Sequence, residues 1–197
     1  MRPVDAGVGV VMLAVMLKAN LVFTGAQVRR ALFAFLVALV VMLLMRVLFA
    51  DLVEYMGWQH ASPSLVVEGS ARLTEMFPAW EERWDLKDSA SRSFPGDHAS
   101  VLLIWAYFMS FFARGWRLLL VWAITVIGIL PRLVAGAHWG ADAFVGGVLL
   151  SLLALAWSCY TPLGYHASEW LEKITLPITS RLAKLPLLGR MSIISGR

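Results

Sequence analysis

Long apolar runs separated by short polar stretches make up most of this chain. A helix that crosses a bilayer needs about 20 residues, with a range of about 17–25. Four of the five runs have such a length, and the third reaches it only if its helix begins within the preceding polar stretch. Because backbone groups inside lipid must be hydrogen-bonded within their own segment, the pattern predicts helices. The runs cover residues 6–23, 31–50, 99–113, 118–137 and 143–160.

The predicted fold is an all-α, polytopic helical bundle with five transmembrane helices. The composition agrees with this prediction, because 59% of the 197 residues are hydrophobic, whereas soluble domains have roughly 45–50% apolar residues. Nine tryptophans also suit a membrane protein, since indole rings prefer the interface between bilayer and water. The length allows one compact helical domain.

Lysines and arginines in the short loops predict the orientation of the helices. Two arginines lie between the first two runs, two lie between the third and fourth, and more basic residues follow the fifth. With five crossings these regions share one side, which is then the cytoplasm, and the acidic loop 51–97 faces outward. This topology explains the net charge of +4 without nucleic-acid binding. We expect a transmembrane domain at 1–165 and a cytoplasmic, amphipathic, basic tail at 166–197.

Two polar clusters fall on the outer side in this topology, and the first reads "PRLVAGAHWGAD". It places Arg132, His138 and Asp142 at spacings of six and four residues. In a helix that begins near Ala137, the His138 and Asp142 side chains would share one face. The carboxylate would then hold one imidazole tautomer and leave the other nitrogen free to attack. The Arg132 guanidinium is suited to phosphate oxygens.

The second cluster reads "RSFPGDHAS" and lies where the third apolar run begins. His98 is near a helix N-terminus, where backbone amides attract anions, and Gly96 permits a close approach. This histidine is a candidate general acid for a leaving oxygen. A guanidinium, an attacking histidine and a proton-donating histidine together predict a phosphoryl-transfer site that needs no metal and no cofactor.

Both clusters resemble signatures of the membrane-bound type-two phosphatidic acid phosphatase family. "PRLVAGAHWGAD" is similar to its third signature, an Arg, five residues, a His, three residues and an Asp. "FPGDHAS" is similar to its second, usually Pro-Ser-Gly-His. The resemblance, which covers roughly residues 62–162, implies that His138 is the phosphorylated nucleophile, Asp142 orients it, His98 is the acid and Arg132 binds phosphate.

The run "LKDSASRSFPGDHAS" is similar to the bacterial lipid A phosphotransferase branch of this family, which also has Gly-Asp in place of Ser-Gly. The resemblance implies transfer of a phosphate from undecaprenyl diphosphate to the 1-phosphate of lipid A, at the periplasmic face of the inner membrane. The lipid partners would be a polyprenyl diphosphate donor and a lipid A or water acceptor. The loop 51–97 would be a periplasmic loop domain. Because the family has six helices, we expect that this core lacks the first.

The first signature of the family, a Lys, six residues and Arg-Pro, is absent. The nearest stretch is "GWQHASPSL", where Gln59 and His60 stand in place of basic residues. For His60 a structural role is favoured over a chemical one. Lys87 and Arg92 are candidates for the missing positive charge on the phosphate, and a solvated loop face is the alternative for both. These two residues lie shortly before the second cluster.

Gly96 and Asp97 stand where the family usually has Ser and Gly. The change removes one hydroxyl contact to phosphate and adds a carboxylate beside His98. We count both residues among the candidates for phosphate binding. Asp97 has three possible roles: tuning His98, binding a cation, or capping the third helix.

Three functions remain open from the sequence. The first is the phosphotransferase that the resemblance implies. The second is a hydrolytic phosphatase for undecaprenyl diphosphate or another lipid phosphate, which differs only in using water as the acceptor. The third is a non-enzymatic membrane transport or assembly protein. Transporters often carry charges near the bilayer midplane, whereas the charges of this chain cluster at one face, so transport is disfavoured.

Overall fold

The computed structural model describes residues 2–84, 86, 88–186 and 188–195. All regular structure in these ranges is helical, which confirms the predicted all-α fold. A π-helix at Asp142–Val148 continues directly into the helix Leu149–Tyr160, and a 3₁₀ turn at Leu188–Arg190 precedes the helix Ser192–Ser195. The longer helices are α1 (Arg2–Leu17), α2 (Gly25–Tyr55), α6 (Asp97–Ser110), α7 (Trp116–Val134), α8 (Leu149–Tyr160) and α9 (Pro162–Leu182); the short ones are α3 (Pro63–Val66), α4 (Leu73–Met76), α5 (Pro78–Trp84) and α10 (Ser192–Ser195).

Three of the described helical stretches are long and apolar enough to cross a membrane. They are Gly25–Tyr55, Trp116–Val134 and Asp142–Tyr160. The helices of the first and third apolar runs are shorter, since α1 has 16 residues and α6 has 14, fewer than the roughly 20 that a span requires. The chain is therefore a helical membrane protein, and the count of five spans stays a prediction.

The outward faces of the long helices are apolar, as lipid contact requires. Val40, Leu44 and Leu48 of α2 are exposed, as are Leu119 and Ile127 of α7. Apolar side chains on the outer face as well as the inner face distinguish these helices from the amphipathic helices of soluble domains. This pattern agrees with the hydropathy of the sequence and with a bilayer as the surrounding medium.

The core of the bundle surrounds α6. Most residues of this helix are buried, including Ile104, Trp105 and Met109, and they pack against Val28 and Met42 of α2. Because neighbouring helices enclose α6, its short length is compatible with a membrane bundle. The start of α6, which carries His98, is consequently fixed by packing on several sides.

The π-helix packs tightly on the segment that leads into α6. A Cβ atom added to Gly146 would lie 2.8 Å from Pro95 Cβ, and one added to Gly147 would lie 2.9 Å from a methyl group of Leu103. These glycines let the two backbones approach, and π-helical turns often occur at functional sites. The packing joins the two polar clusters, although they are about 40 residues apart in sequence.

Both clusters lie at one end of the bundle, which we call the site end. The end of α1 that carries Asp5 is also there, because Asp5 contacts His98. The opposite end holds the tail: the guanidinium of Arg29 donates to the Ile193 carbonyl at 2.9 Å, and α9 packs on α2 and α8. The two polar clusters and the tail thus lie at opposite ends of the bundle, and the orientation of these ends in a membrane stays a prediction.

Candidate active site

The turn between α7 and His138 is a Schellman motif. The Ala137 N–H donates to the Arg132 carbonyl at 3.0 Å, and the Gly136 N–H donates to the Leu133 carbonyl at 3.1 Å. Gly136 has φ +70°, the left-handed conformation that this motif requires and that glycine adopts without strain. The turn reverses the chain immediately after Arg132. The five residues between Arg132 and His138 are therefore the end of α7 and the turn that follows it.

The same turn is a docking point for the segment that contains His60. The Ser64 N–H donates to the Gly136 carbonyl at 3.1 Å, and a Cβ atom on Gly136 would lie 3.3 Å from the Ser64 nitrogen. On its other side, the Ser93 N–H donates to the His60 carbonyl at 2.9 Å. The segment around His60 is thus held by backbone bonds to both polar clusters.

The helix that carries Asp142 begins later than the sequence analysis expected. His138 and Trp139 precede the first helical position, residue 140, so a helix start near Ala137 was wrong. The Schellman turn accounts for the difference, because Ala137 is the last residue of that motif and donates its N–H back to Arg132, so the next helix starts only after it. The Trp139 N–H donates to Asp142 Oδ2 at 2.9 Å, which is the acidic half of a capping box.

Asp142 is central to the surroundings of the predicted nucleophile His138, which we call the nucleophile region, and its side chain is fully buried. The His60 Nε2–H donates to its Oδ1 at 2.8 Å, and the Trp139 amide occupies Oδ2. His138 Nδ1 lies 3.5 Å from the same Oδ2. A buried carboxylate requires such partners, and Asp142 accepts hydrogen bonds from His60 and from the Trp139 amide, with the His138 ring close by.

The tautomer of His138 is set by a backbone carbonyl together with Asp142. Its Nδ1–H donates to the Ser93 carbonyl at 2.9 Å, which is shorter than the 3.5 Å to Asp142. A proton on Nδ1 leaves the lone pair on Nε2. The exposed fraction of the His138 side chain is 15%, so the ring is held in place with one nitrogen free for nucleophilic attack.

Arg132 and His98 meet at a carboxylate that comes from α1. Asp5 Oδ2 lies 2.6 Å from Arg132 Nη2, and Asp5 Oδ1 lies 3.0 Å from His98 Nε2. One carboxylate therefore bridges the guanidinium and the imidazole that the sequence assigned to phosphate binding and acid catalysis. The Asp5 side chain is mostly buried, with 22% of its area exposed.

A single small cavity joins the predicted catalytic groups. Its volume is about 10 Å³, which is about the space that one water molecule needs. A phosphate group does not fit there without a displacement of the surrounding side chains. The lining residues are Gly96, His98, Ala99, Ile129, Arg132, Leu133, His138 and Ala143.

Gly96 and Asp97 have different surroundings although they are neighbours. A Cβ atom on Gly96 would lie 3.2 Å from the Asp142 carbonyl oxygen, so glycine permits the close approach of the two clusters. Asp97 accepts the backbone N–H of His98 at 2.8 Å and lies 3.5 Å from Arg46 Nη2. Asp97 thus pairs with α2 and faces away from the small cavity.

The structure places Arg92 away from the cavity. It pairs with Glu54 at 3.1 Å, and both side chains are more than half exposed. Lys87 lies outside the described residues. The neighbouring Asp88 is buried and accepts both the N–H and the hydroxyl of Thr74, at 2.9 and 3.1 Å, so it supports the loop.

Two contributors to the site, Ser93 and Asp5, were not predicted from the sequence, and a third, His60, was predicted to be structural. Ser93 acts through its backbone carbonyl, for which side-chain identity gives no signal. His60 was favoured as structural, and its position at the absent first signature was the available signal for a role at the site; its ring also stacks on Phe94 at 5.7 Å. Asp5 was overlooked, although an acidic side chain in an apolar helix is a functional candidate.

The described residues contain no group of three or more His, Cys, Asp or Glu side chains placed to hold a metal ion. The charged groups of the site are matched with one another instead. The two guanidiniums, Arg132 and Arg46, each pair with one carboxylate, Asp5 and Asp97 respectively. The arrangement is suited to an anionic ligand that exchanges with these carboxylates.

Comparisons with known proteins agree with the geometry. The model of the PAP2 superfamily matches residues 32–165, a range that contains both polar clusters and excludes α1. The chain is 33% identical over 115 residues to lipid A 1-diphosphate synthase of Escherichia coli (strain K12). This match covers 58% of the chain and 46% of that protein, so the chain spans about half of its relative's length. No solved structure matches the chain at a significant level. The predicted membership of this family is confirmed.

Proposed function

Because the chain belongs to the PAP2 superfamily, we propose that it is a membrane lipid phosphatase or phosphotransferase with a phosphohistidine intermediate at His138. The observation that carries this proposal is the small cavity that His138, His98 and Arg132 line together. A nucleophile, a proton donor and a phosphate-binding guanidinium are the minimum set for this chemistry.

In the first step, His138 Nε2 attacks the terminal phosphorus of a lipid phosphate or diphosphate. The N–P bond forms and the bond from phosphorus to the leaving oxygen breaks, while His98 donates a proton to that oxygen. Arg132 neutralises charge on the non-bridging oxygens. The Ser93 carbonyl, 2.9 Å from Nδ1, and Asp142 stabilise the positive charge that the imidazole acquires.

In the second step, an acceptor oxygen attacks the phosphohistidine and the N–P bond breaks. His98, now neutral, takes the proton of the acceptor where it has one. Water as the acceptor gives hydrolysis, and the phosphate of a second lipid gives transfer. The groups on the protein are the same in both cases, so both outcomes belong to one mechanism.

A second, larger cavity supports a lipid substrate, and we call it the chamber. Its volume is about 310 Å³, and it lies between α1, α2, α6 and α7. Asp5, Arg46, Asp97 and His98 form its polar part. One or two helical turns deeper, the wall is apolar, and it consists of Val8, Met12, Leu43, Val101, Leu102 and Gly128.

The finer proposal is transfer of a phosphate from undecaprenyl diphosphate to the 1-phosphate of lipid A at the periplasmic face of a bacterial inner membrane. The support is the name of the relative, lipid A 1-diphosphate synthase, and the basic loops at the end opposite the site. Hydrolysis of undecaprenyl diphosphate or another lipid phosphate is the second candidate, because the site geometry serves water equally well.

The test uses purified protein in detergent with terminally labelled undecaprenyl diphosphate, with and without lipid A. We expect label on lipid A from the wild type and a loss of about 10³-fold or more in His138→Ala. His166→Ala is the matched control, since this histidine is on α9 with 71% of its side chain exposed. Release of free phosphate alone would favour the phosphatase, and full activity of His138→Ala would exclude the mechanism.

A further inference from the structure

Asp5 takes the place that a phosphate group would occupy in the proposed mechanism. Its two carboxylate oxygens lie 2.6 Å from Arg132 Nη2 and 3.0 Å from His98 Nε2. Carboxylate and phosphate oxygens accept the same charge-assisted hydrogen bonds from guanidinium and imidazolium groups. Asp5 belongs to α1, which precedes the part of the chain that matches the family model.

Asp5 and a phosphate compete for the same donors of the site, Arg132 Nη2 and His98 Nε2. The cavity between His98, Arg132 and His138 has a volume of about 10 Å³, enough for about one water molecule. Asp5 does not line this cavity, and its displacement follows instead from the shared donors: a phosphate on Arg132 Nη2 and His98 Nε2 takes the positions of the Asp5 oxygens, which lie 2.6 and 3.0 Å from these atoms.

The carboxylate leaves donors of the site without partners. The Nε–H groups of Arg132 and Arg46 are both buried without a hydrogen-bond acceptor among the described residues. A buried unpaired donor is unfavourable, and a phosphate brings more acceptor oxygens than a carboxylate. A phosphate can therefore accept hydrogen bonds from more of these donors than the Asp5 carboxylate does.

The first two turns of α1, which carry Asp5, are loosely packed. Gly7 and Gly9 follow it, and a Cβ atom on either would meet nothing within 4 Å, so packing does not require glycine there. Glycine is among the least favourable residues for a helix interior. The firm anchors of α1 lie deeper, at Met12, Val15 and Met16, all of which are buried.

We propose that Asp5 is an internal competitor of phosphate, which neutralises Arg132 and His98 in the empty site and sets the affinity for phosphate ligands. An unpaired guanidinium in a membrane bundle is costly, and the tethered carboxylate removes that cost. The same pairing weakens the binding of the phosphate product. This inference rests on the proposed function only in taking the cavity as a phosphate site.

The experiment measures binding of inorganic phosphate to Asp5→Asn in detergent by titration calorimetry near neutral pH. We expect a dissociation constant about tenfold or more below that of the wild type, because one charge-assisted contact no longer has to be broken. Asp5→Glu keeps the negative charge and should remain near the wild type. Glu75→Gln, which breaks the exposed pair with Arg72, is the matched control and should change nothing.

Thermal unfolding separates competition from a purely structural ion pair. Asp5→Asn should unfold at a lower temperature than the wild type without phosphate, and phosphate should stabilise it more than it stabilises the wild type. A structural pair would lower the unfolding temperature with no gain in phosphate affinity. Unchanged or weaker phosphate binding by Asp5→Asn would therefore overturn the proposal.

A second measurement keeps the native Asp5. A spin label at Val4→Cys, in a Cys159→Ala background, reports on the first turn of α1. We expect the label to become more mobile when phosphate binds, and an immobile label with bound phosphate would refute displacement. If wild type and Asp5→Asn bind phosphate as expected but no lipid phosphate is turned over, the proposed function fails while this inference stands.

Discussion

The two histidines of the site are held by different kinds of contact. His138 belongs to a nucleophile region in which backbone groups do most of the positioning: the Ser93 carbonyl, the Trp139 amide and the Schellman turn. His98 belongs to an anion region in which side chains from separate helices form ion pairs, above all with Asp5. Backbone contacts persist through a catalytic cycle, whereas ion pairs exchange with a charged ligand. The contacts of the nucleophile region are therefore in place before a substrate binds, and those of the anion region can be replaced by the substrate.

The largest expected effect is a loss of activity that depends, for His98 but not for His138, on the leaving group of the substrate. His138→Ala should lose activity on every substrate, because no nucleophile remains. His98→Ala should lose about 10²–10⁴-fold on a lipid phosphate but recover much of that loss on p-nitrophenyl phosphate, whose leaving group needs no proton.

The measurement is the ratio of kcat/KM for the two substrates in each variant. Equal losses on both substrates in His98→Ala would assign this histidine to binding instead of acid catalysis. Recovery of His138→Ala with the activated substrate would place the nucleophile elsewhere.

An intermediate effect is expected for His60, which touches Asp142 and lies behind the nucleophile. His60→Ala removes the 2.8 Å hydrogen bond to Asp142 Oδ1 and leaves a buried acceptor short of one donor. A loss of about 1–3 kcal/mol in unfolding free energy follows, with a fall of about tenfold in kcat and little change in KM.

His60→Gln is the informative partner variant, because its amide N–H₂ is a donor at the same position. Restored kcat in His60→Gln would support positioning through Asp142. If both variants retain full kcat, the contact with Asp142 contributes nothing to the reaction.

The smallest effect on chemistry, and a clear effect on stability, is expected for the Schellman turn. Gly136→Ala forces a left-handed φ on alanine and brings a methyl group to about 3.3 Å from Ser64. We expect a cost of about 1–2 kcal/mol in unfolding free energy. Gly140→Ala is the control, since a Cβ there meets nothing within 4 Å; similar unfolding temperatures for both variants would contradict the assignment of the motif.

The contrast between the two regions also explains which parts of the site could be predicted from the sequence. Arg132, His138 and Asp142 are close in sequence, and a turn with standard chemistry joins them, so spacing alone was informative. The helical class followed equally directly from the apolar runs, because a lipid environment leaves few alternatives. The late helix start was missed because Ala137 belongs to the Schellman turn and not to the helix that follows.

The anion region depends on contacts between distant parts of the chain, and sequence patterns carry little information about those. Asp5 lies 127 residues before Arg132, and no periodicity predicts that they meet. Arg92 was a reasonable candidate by proximity to His98, yet the structure gives it Glu54 as a partner. Proximity in sequence is a weak guide to contact in the structure wherever a long loop separates two helices.

The pair of Arg46 and Asp97 also shows how far the polar part of the chamber lies from the end of α2. Beyond Arg46, α2 continues for nine residues to Tyr55, which at 1.5 Å per residue is about 13 Å. The polar part of the chamber therefore lies about 13 Å below the tip of α2, measured along the helix. A ligand that reaches Arg46 and Asp97 from that end must therefore extend along about two and a half turns of α2.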